Sequence, residues 1–328
     1  MTAKFCSRKV IVVAVMPLMA FFAFNSVWAL DYPAREIELI SPHAPGSSAD
    51  LAARNIASHT ERFVGKPLVV VNKPGGSGAK GPTYVAQAKP DGYTLGVFSQ
   101  SGIAQPYLMK GVTFTYKKSY RAIAQADTSS TALYVLKGGK YDVPLKEFVK
   151  ILRENPESIK IGIGGKWTVQ DFATEMLQVE AGIKFNKIPF PAVADAVPAL
   201  LGGHIDAVMA STAAWSNLYK AGKISVLGDS QEQRDPLFPH VPTFKEQGYS
   251  VVVPNTRWIV APAGTPEAVV NYLAKVFRQG LTSIEFKEGC NKLFLRADWA
   301  GPEDSVKGMQ RVEQLYLTII RKYNLQPE

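Results

Sequence analysis

Short apolar runs alternate along this chain of 328 residues with longer stretches in which apolar residues recur every three or four positions. The runs predict β-strands, and the stretches predict amphipathic α-helices. The first cycle predicts strands over 37–40, 68–71 and 93–98, separated by a helix from Asp50 and a helix over 82–88. This βαβαβ order predicts parallel pairing with right-handed crossovers. The run 68–71 is apolar throughout, so we expect that strand to be buried on both faces.

The same alternation restarts near residue 122 and continues to residue 227, which predicts a second α/β unit of similar size. The tail adds strand-like runs over 251–253 and 258–260 and helices over 266–279 and 302–323. The first unit has too few helices to cover its sheet, so we expect the tail to return to it. The predicted fold is therefore α/β with two lobes, each a mainly parallel sheet flanked by helices, with a ligand cleft between the lobes as in hinged binding proteins. The predicted boundaries are 1–29 for a signal peptide, 30–127 for the first part of lobe 1, 128–252 for lobe 2, and 253–328 for the return.

The first 29 residues have the features of a secretory signal peptide. Three basic residues precede an apolar run over 10–24, and Val27 and Ala29 place small residues before a cleavage site after Ala29. A membrane anchor is the alternative, but the run is shorter than the ~20 residues that a span requires. Cleavage would leave a net charge of +6 from the whole chain's +9, and Cys290 as the single cysteine. These features predict export to a bacterial periplasm as a protein without an intramolecular disulfide.

Composition excludes several classes of protein. The chain is 46% hydrophobic and 20% charged, as expected for a globular protein and not for a disordered one. No basic block with interleaved aromatic residues is present, so nucleic acid is not an expected partner. The modest positive charge is typical either of a solvated basic surface or of a protein that attracts anions.

Two loops that follow predicted strands have the composition of anion-binding turns. Small residues allow close approach to the backbone, and the free N–H groups of a first helical turn attract anions. We expect main-chain N–H groups of both loops to bind a carboxylate; a plain turn is the alternative for each. The loop residues are Pro45, Gly46, Ser47, Ser48, Ala49 and Asp50, and then Lys166, Trp167, Thr168, Val169 and Gln170.

Catalytic and cofactor motifs are weak. The stretch 76–81 matches G-x-G-x-x-G, but no acidic residue follows the next strand to bind a ribose, so a tight turn is favoured over a dinucleotide site. No zinc-binding or nucleophile-elbow motif is present. His43, Ser47 and Asp50 lie too close along one turn to align as a catalytic triad. We therefore expect neither an enzyme nor a cofactor.

Several segments together resemble the periplasmic solute-binding subunits of tripartite tricarboxylate transporters, the Bug-type receptors. Their shared order covers essentially the whole mature chain. The segments are 42–50 (PHAPGSSAD), 71–78 (VNKPGGSG), 89–95 (KPDGYTL), 201–206 (LGGHID), 220–223 (KAGK), 241–244 (VPTF) and 261–266 (APAGTP).

The resemblance implies a receptor that closes on a small organic carboxylate and delivers it to membrane transporter subunits. It implies binding by main-chain N–H groups of 45–50 and 166–170, with those of Ser47 and Thr168 among the donors. Ser101 and Gln105 are further candidates. Family members often have Asp-Asn after the strand that ends at Met209, where this chain has Ala210 and Ser211. The missing acid favours a dicarboxylate or an aromatic acid over an amino acid, with Ser211 in the site. We expect a monomer; a sensor for a membrane kinase and a secreted α/β hydrolase are the alternatives.

Overall fold

The computed structural model describes residues 32–190 and 193–327, and its strands form two sheets. The predicted signal peptide and its cleavage site lie outside these residues. The first sheet contains β1 (Ile37–Ser41), β2 (Leu68–Asn72), β3 (Thr94–Ser99), β4 (Tyr120–Ser129), β10 (Asn255–Pro262) and β11 (Arg296–Ala300). The second contains β5 (Thr131–Leu136), β6 (Lys160–Ile163), β7 (Asn186–Pro189), β8 (Ala207–Ser211) and β9 (Ile224–Asp229).

Helices flank both sheets. Those that come before β9 along the chain are α1 (Ser48–Val64), α2 (Lys80–Gln87), α3 (Ser101–Leu108), α4 (Tyr116–Ser119), α5 (Leu145–Glu154), α6 (Val169–Ala181), α7 (Ala196–Leu201) and α8 (Thr212–Lys220). Three more close the chain: α9 (Glu267–Leu281), α10 (Ile284–Lys292) and α11 (Pro302–Lys322). No helix in the described part of the chain combines the length and the apolar character needed to cross a membrane.

Both sheets are mixed, whereas the sequence predicted mainly parallel ones. The first has the order β11-β4-β10-β3-β1-β2, and only the pairs of β1 with β2 and β3 are parallel. The second has the order β7-β6-β8-β5-β9, with β5 antiparallel to both of its neighbours. β4 and β10 are antiparallel because β4 leads out of the first sheet towards β5, whereas β10 leads back into the first sheet. The α/β fold class itself is confirmed.

Two predictions for single strands are wrong. β2 lies at the edge of the first sheet, and Val69 is 39% exposed, so its continuous apolar run does not reflect burial on both faces. Residues 251–253 form no strand, although Val251 and Val253 are fully buried. Their apolar character reflects packing in the core between the second sheet and its helices.

The chain passes between the sheets at positions that later define the site. β4 and β5 are separated by Ser130 alone, and residues 230–254 lead back from β9 to β10. The last helix contacts both cores: Met309 packs under the first sheet, whereas Tyr316 packs on Phe172 of α6, with ring centroids 4.5 Å apart. The tail is therefore not confined to the first sheet, and the domain boundaries remain a prediction.

Helix α1 is fixed against α9 by close packing. Ile56 of α1 and Leu273 and Phe277 of α9 are fully buried in one core, and burial of each such side chain contributes about 1.5–3 kcal/mol. A Cβ at Gly280 would lie 2.8 Å from the Thr60 Cα, so glycine is required where the two helices approach. This packing holds the amino terminus of α1 at the carboxyl end of β1.

Candidate functional site

The amino terminus of α1 is closed by reciprocal capping bonds. The Ser47 hydroxyl accepts a hydrogen bond from the Asp50 N–H at 3.3 Å, and Asp50 Oδ2 accepts one from the Gly46 N–H at 2.9 Å. Arg54 and Asn72 also donate to the Asp50 carboxylate. Burial disfavours its charge, but the bonds from Arg54, Gly46 and Asn72 outweigh this and lower the pKa of Asp50. Asp50 thus orders the loop.

The amino terminus of α6 repeats this arrangement in the second sheet. The Thr168 hydroxyl accepts from the Asp171 N–H at 3.3 Å, and Asp171 Oδ2 accepts from the Trp167 N–H at 2.9 Å. The residue before each capping hydroxyl has a left-handed backbone, with φ of 79° at Gly46 and 59° at Trp167. Both helices therefore begin with the same variant of the capping box, Ser/Thr-x-x-Asp, in which the aspartate accepts from the residue before the capping one.

The capping leaves the same N–H groups available in both helices. Within the described residues, the N–H groups of Ser48 and Ala49 in α1 and of Val169 and Gln170 in α6 have no hydrogen-bond acceptor. The expected donor at Ser47 is not available, because its N–H is bonded to the Ala44 carbonyl at 3.2 Å. The free donors are therefore the first two residues of each helix and, in α6, also the expected donor Thr168, whose N–H has no acceptor among the described residues. The helix dipole adds positive potential at these positions.

These helix ends meet at one cavity of about 50 Å³, which is room for a few water molecules. Residues of α1 and α6 line it, together with Ser101 at the start of α3 and Ser211 immediately before α8. Four helices from both sheets thus direct their amino termini at the same space. The Ser48 and Ser211 hydroxyls, one from each side, lie 3.0 Å apart.

The cavity is electropositive. No lining residue in the described part of the chain is acidic, and the wall contains the guanidinium of Arg257 of β10 besides the helix amino termini. Arg257 is 1% exposed and forms an ion pair with Asp127 of β4, which is also buried. Burial, helped by the charge of Arg257, lowers the pKa of His43 in the cavity wall to about 4, so this imidazole is neutral. The arrangement can hold an anion.

The structure brings together eight of the residues predicted from the sequence and separates six. Those in the cavity wall are Ser47, Ser48, Ala49, Ser101, Thr168, Val169, Gln170 and Ser211. Those outside it are Pro45, Gly46, Asp50, Gln105, Lys166 and Trp167.

The residues outside the wall support the loops from behind. Trp167 was expected among the ligand-binding loop residues, but it is 4% exposed and packs on Phe172 in the core. Gln105 donates through Nε2 to the Ser77 carbonyl at 2.8 Å. Lys166 lies against the Trp167 ring. Their side chains are used to fix the loop and helix positions rather than to line the cavity.

Sequence reasoning missed several lining residues. Arg257 had a usable signal, because a charged residue within a buried apolar strand requires a buried partner. Asn255, two residues earlier, gave no such signal, since a polar residue at a strand end is ordinary. The remaining residues that were not predicted are His43, Ser99, Gly164, Val193 and Ala214.

No group of His, Cys, Asp and Glu among the described residues is arranged to hold a metal ion.

The fold and the site define a class of protein: a two-sheet α/β binding protein with an electropositive cavity. Comparison with known proteins agrees. The sequence profile of the tripartite tricarboxylate transporter family receptors matches residues 52–314, and the chain belongs to this family. It is a family of periplasmic solute receptors and not of enzymes, which confirms the expected family and class of protein.

Individual relatives support this assignment. A protein encoded in the gbd 5′ region of Cupriavidus necator is 31% identical over 264 residues, which is 80% of this chain and 79% of the relative. The solved periplasmic binding protein BugD is 26% identical, with a TM-score of 0.86 over 90% of this chain and 100% of BugD. MatC from Rhodopseudomonas palustris, solved with bound malate, shares the fold at 23% identity, with a TM-score of 0.78 over 89% of this chain and 98% of MatC.

Proposed function

We propose that this protein is the extracytoplasmic receptor of a tripartite tricarboxylate-type transporter and binds a small organic carboxylate in the cleft between its two sheets. The observation that carries the proposal is the meeting of four helix amino termini and Arg257 at one cavity whose described lining has no acidic residue. Partial positive charges at helix ends and a guanidinium favour an anion, and planar carboxylates suit paired N–H donors. MatC, which has the same fold, was solved with malate.

The missing carboxylate at the wall favours acids over amino acids as ligands. An amino group would require an acidic partner, and Asp127 already pairs with Arg257 while Asp50 is bonded within its own loop. We therefore assign a dicarboxylate or an aromatic acid as the ligand class and membrane transporter subunits as the partner. The receptor acts as a monomer.

Binding is coupled to closure in this proposal. The cavity wall is built from residues on both sheets and their helices, so the two sheets move apart to admit the ligand. The segments at Ser130 and at 230–254 are the connections at which this movement occurs. Contacts divided between the sheets then favour the closed form by the ligand's differential affinity.

Isothermal titration calorimetry of the mature chain with a panel of carboxylates tests the function. Acids should bind and their primary amides should bind much more weakly, because charge-assisted hydrogen bonds are about twice as strong as neutral ones. Mass spectrometry of the recovered ligand should show it unchanged. Equal affinity for acid and amide, or conversion of the ligand, would contradict the proposal.

A further inference from the structure

The surroundings of Arg257 give it a defined role within the proposed site. Its Nη1 donates to Asp127, while its Nη2 donates to the Ser48 hydroxyl and, at 3.2 Å, to the Ser129 hydroxyl. Ser48 is also the first residue of α1, whose N–H is free. The guanidinium and the amino terminus of α1 are therefore joined through one side chain, and a single carboxylate can reach both.

Two buried groups at this end of the cavity have no partner among the described residues. Arg257 Nε lacks an acceptor although the residue is 1% exposed, and Asn255 Oδ1 lacks a donor although the residue is 4% exposed. A buried guanidinium N–H without an acceptor is costly, whereas one bonded to a carboxylate is strongly stabilised. Arg257 lines the cavity, so a ligand carboxylate can accept the hydrogen bond that its Nε offers. Asn255 Oδ1 also belongs to a lining residue, but it requires a donor, which a carboxylate does not provide.

Asp127 balances the charge of Arg257 from the side away from the cavity. It does not line the cavity, and its carboxylate is fully buried. Burial raises its pKa, and the adjoining guanidinium opposes that rise. The pair contributes no net charge, so the positive potential of the four helix ends remains to be matched by the ligand. Helix ends each act as about half a positive charge, which suits a ligand with two negative charges.

We propose that Arg257 is the specificity-determining residue of the cleft: its guanidinium binds one carboxylate of a dicarboxylate beside the amino terminus of α1, and Asp127 limits the site's affinity for anions. This inference rests on the proposed function. The second carboxylate lies at the amino terminus of α6, where Val169 and Gln170 offer free N–H groups. The ligand thus connects the two sheets through its two charged ends.

Calorimetry with succinate, adipate and the monoamide of each tests this assignment. The double variant Asp127→Asn/Arg257→Gln removes both charges together, so no unpaired buried charge is left to unfold the protein. It should bind the dicarboxylates about 10- to 100-fold more weakly than the wild type, as expected for a lost charged hydrogen bond. It should also lose the preference for the diacid over the monoamide. Asp127→Asn alone should bind the dicarboxylates several-fold more tightly.

A matched control pair includes a residue of β4, the strand of Asp127. Arg121 of β4 pairs with Glu267 of α9 at 2.6 Å, outside the cavity wall. The double variant Arg121→Gln/Glu267→Gln removes the same formal charges and should bind like the wild type. Arg257→Lys keeps the charge beside Asp127 but loses the planar fork of donors. It should weaken dicarboxylate binding, which gives a readout if the Asp127→Asn/Arg257→Gln variant does not fold.

Several results would overturn the inference. One is unchanged dicarboxylate binding in Arg257→Lys or in the Asp127→Asn/Arg257→Gln variant. Another is a loss of dicarboxylate affinity in the Arg121→Gln/Glu267→Gln control that equals the loss in Asp127→Asn/Arg257→Gln. The third is weaker dicarboxylate binding by folded Asp127→Asn. A wild type that binds benzoate but neither dicarboxylate refutes the role of Arg257 and leaves the proposed function standing. A wild type that binds no carboxylate refutes the proposed function itself.

Discussion

Substitution of Val169 by proline tests whether the N–H at the start of α6 binds the ligand. Val169 is the first residue of the helix, and its N–H has no acceptor among the described residues. Proline is well tolerated at this position, because its fixed φ suits the helix. Thr168 has φ −79° and ψ 166°, the extended conformation that the residue before a proline prefers. Val169→Pro should therefore remove one donor while the helix remains intact.

The expected loss of affinity follows from the energy of one hydrogen bond. A hydrogen bond to a charged group contributes about 1.5–3 kcal/mol, which corresponds to a dissociation constant about 10- to 150-fold higher. Val169→Ala keeps the N–H and removes buried methyl groups, since the side chain is 2% exposed. It should lower stability by about 1–3 kcal/mol and change affinity little. The contrast between the two variants separates the backbone donor from the side chain.

The assay is calorimetric titration with a carboxylate that the wild type binds, combined with thermal denaturation without ligand. Ile284→Pro is the matched control, because Ile284 is the first residue of α10, is 72% exposed and follows the capping serine Ser283. It should leave both affinity and melting temperature close to those of the wild type. Wild-type affinity in a folded Val169→Pro variant would refute the role assigned to this N–H group.

Three further predictions concern stability. His43 has a pKa of about 4 in the folded state against 6.5 for the free side chain, so stability should fall as the pH drops from about 6.5 towards 4; His43→Gln should flatten urea unfolding free energies over that range. Burial raises the pKa of Asp229 to about 7, so the stability of the folded protein declines as the pH rises from about 4 to 7 and this carboxylate becomes charged. Asp229→Asn should therefore melt at a higher temperature than the wild type at pH 8, and an equal or lower melting temperature would contradict this. Glu313 of α11 accepts from Tyr107 at 2.5 Å and from Lys117 at 2.6 Å, so Glu313→Gln should cost about 1–3 kcal/mol in chemical denaturation, and an unchanged midpoint would show that these contacts do not anchor α11.

The sequence predicted the order of strands and helices well, because local periodicity determines both. It also predicted the two loops before α1 and α6, because small and polar residues follow apolar runs there, although it placed the start of the first helix at Asp50 instead of Ser48. It could not predict that β10 enters the first sheet antiparallel, because strand direction depends on the path of the whole chain. Short strands and helices such as α3 and β11 were missed, because their apolar residues are too few to establish a period.

The sequence pointed to loops that reach the cavity wall, but it did not point to the charged residue in that wall. Arg257 lies far along the chain from both loops, and only the pairing of β10 with β4 brings it beside Asp127. Trp167 shows the opposite error. Its place in a ligand loop favoured contact with the ligand, but its left-handed backbone, with φ of 59°, accompanies a side chain that packs in the core.

The repeated capping box affects how the ligand specificity of such a receptor can be changed. Its donors at α1 and α6 are peptide N–H groups, which every residue except proline retains on substitution. Side chains in the wall, such as Val193 and Ala214, can therefore be exchanged for larger or more polar ones without removing those donors. A library built at these two positions, with both capping boxes left intact, would be an efficient starting point for carboxylate biosensors of altered specificity.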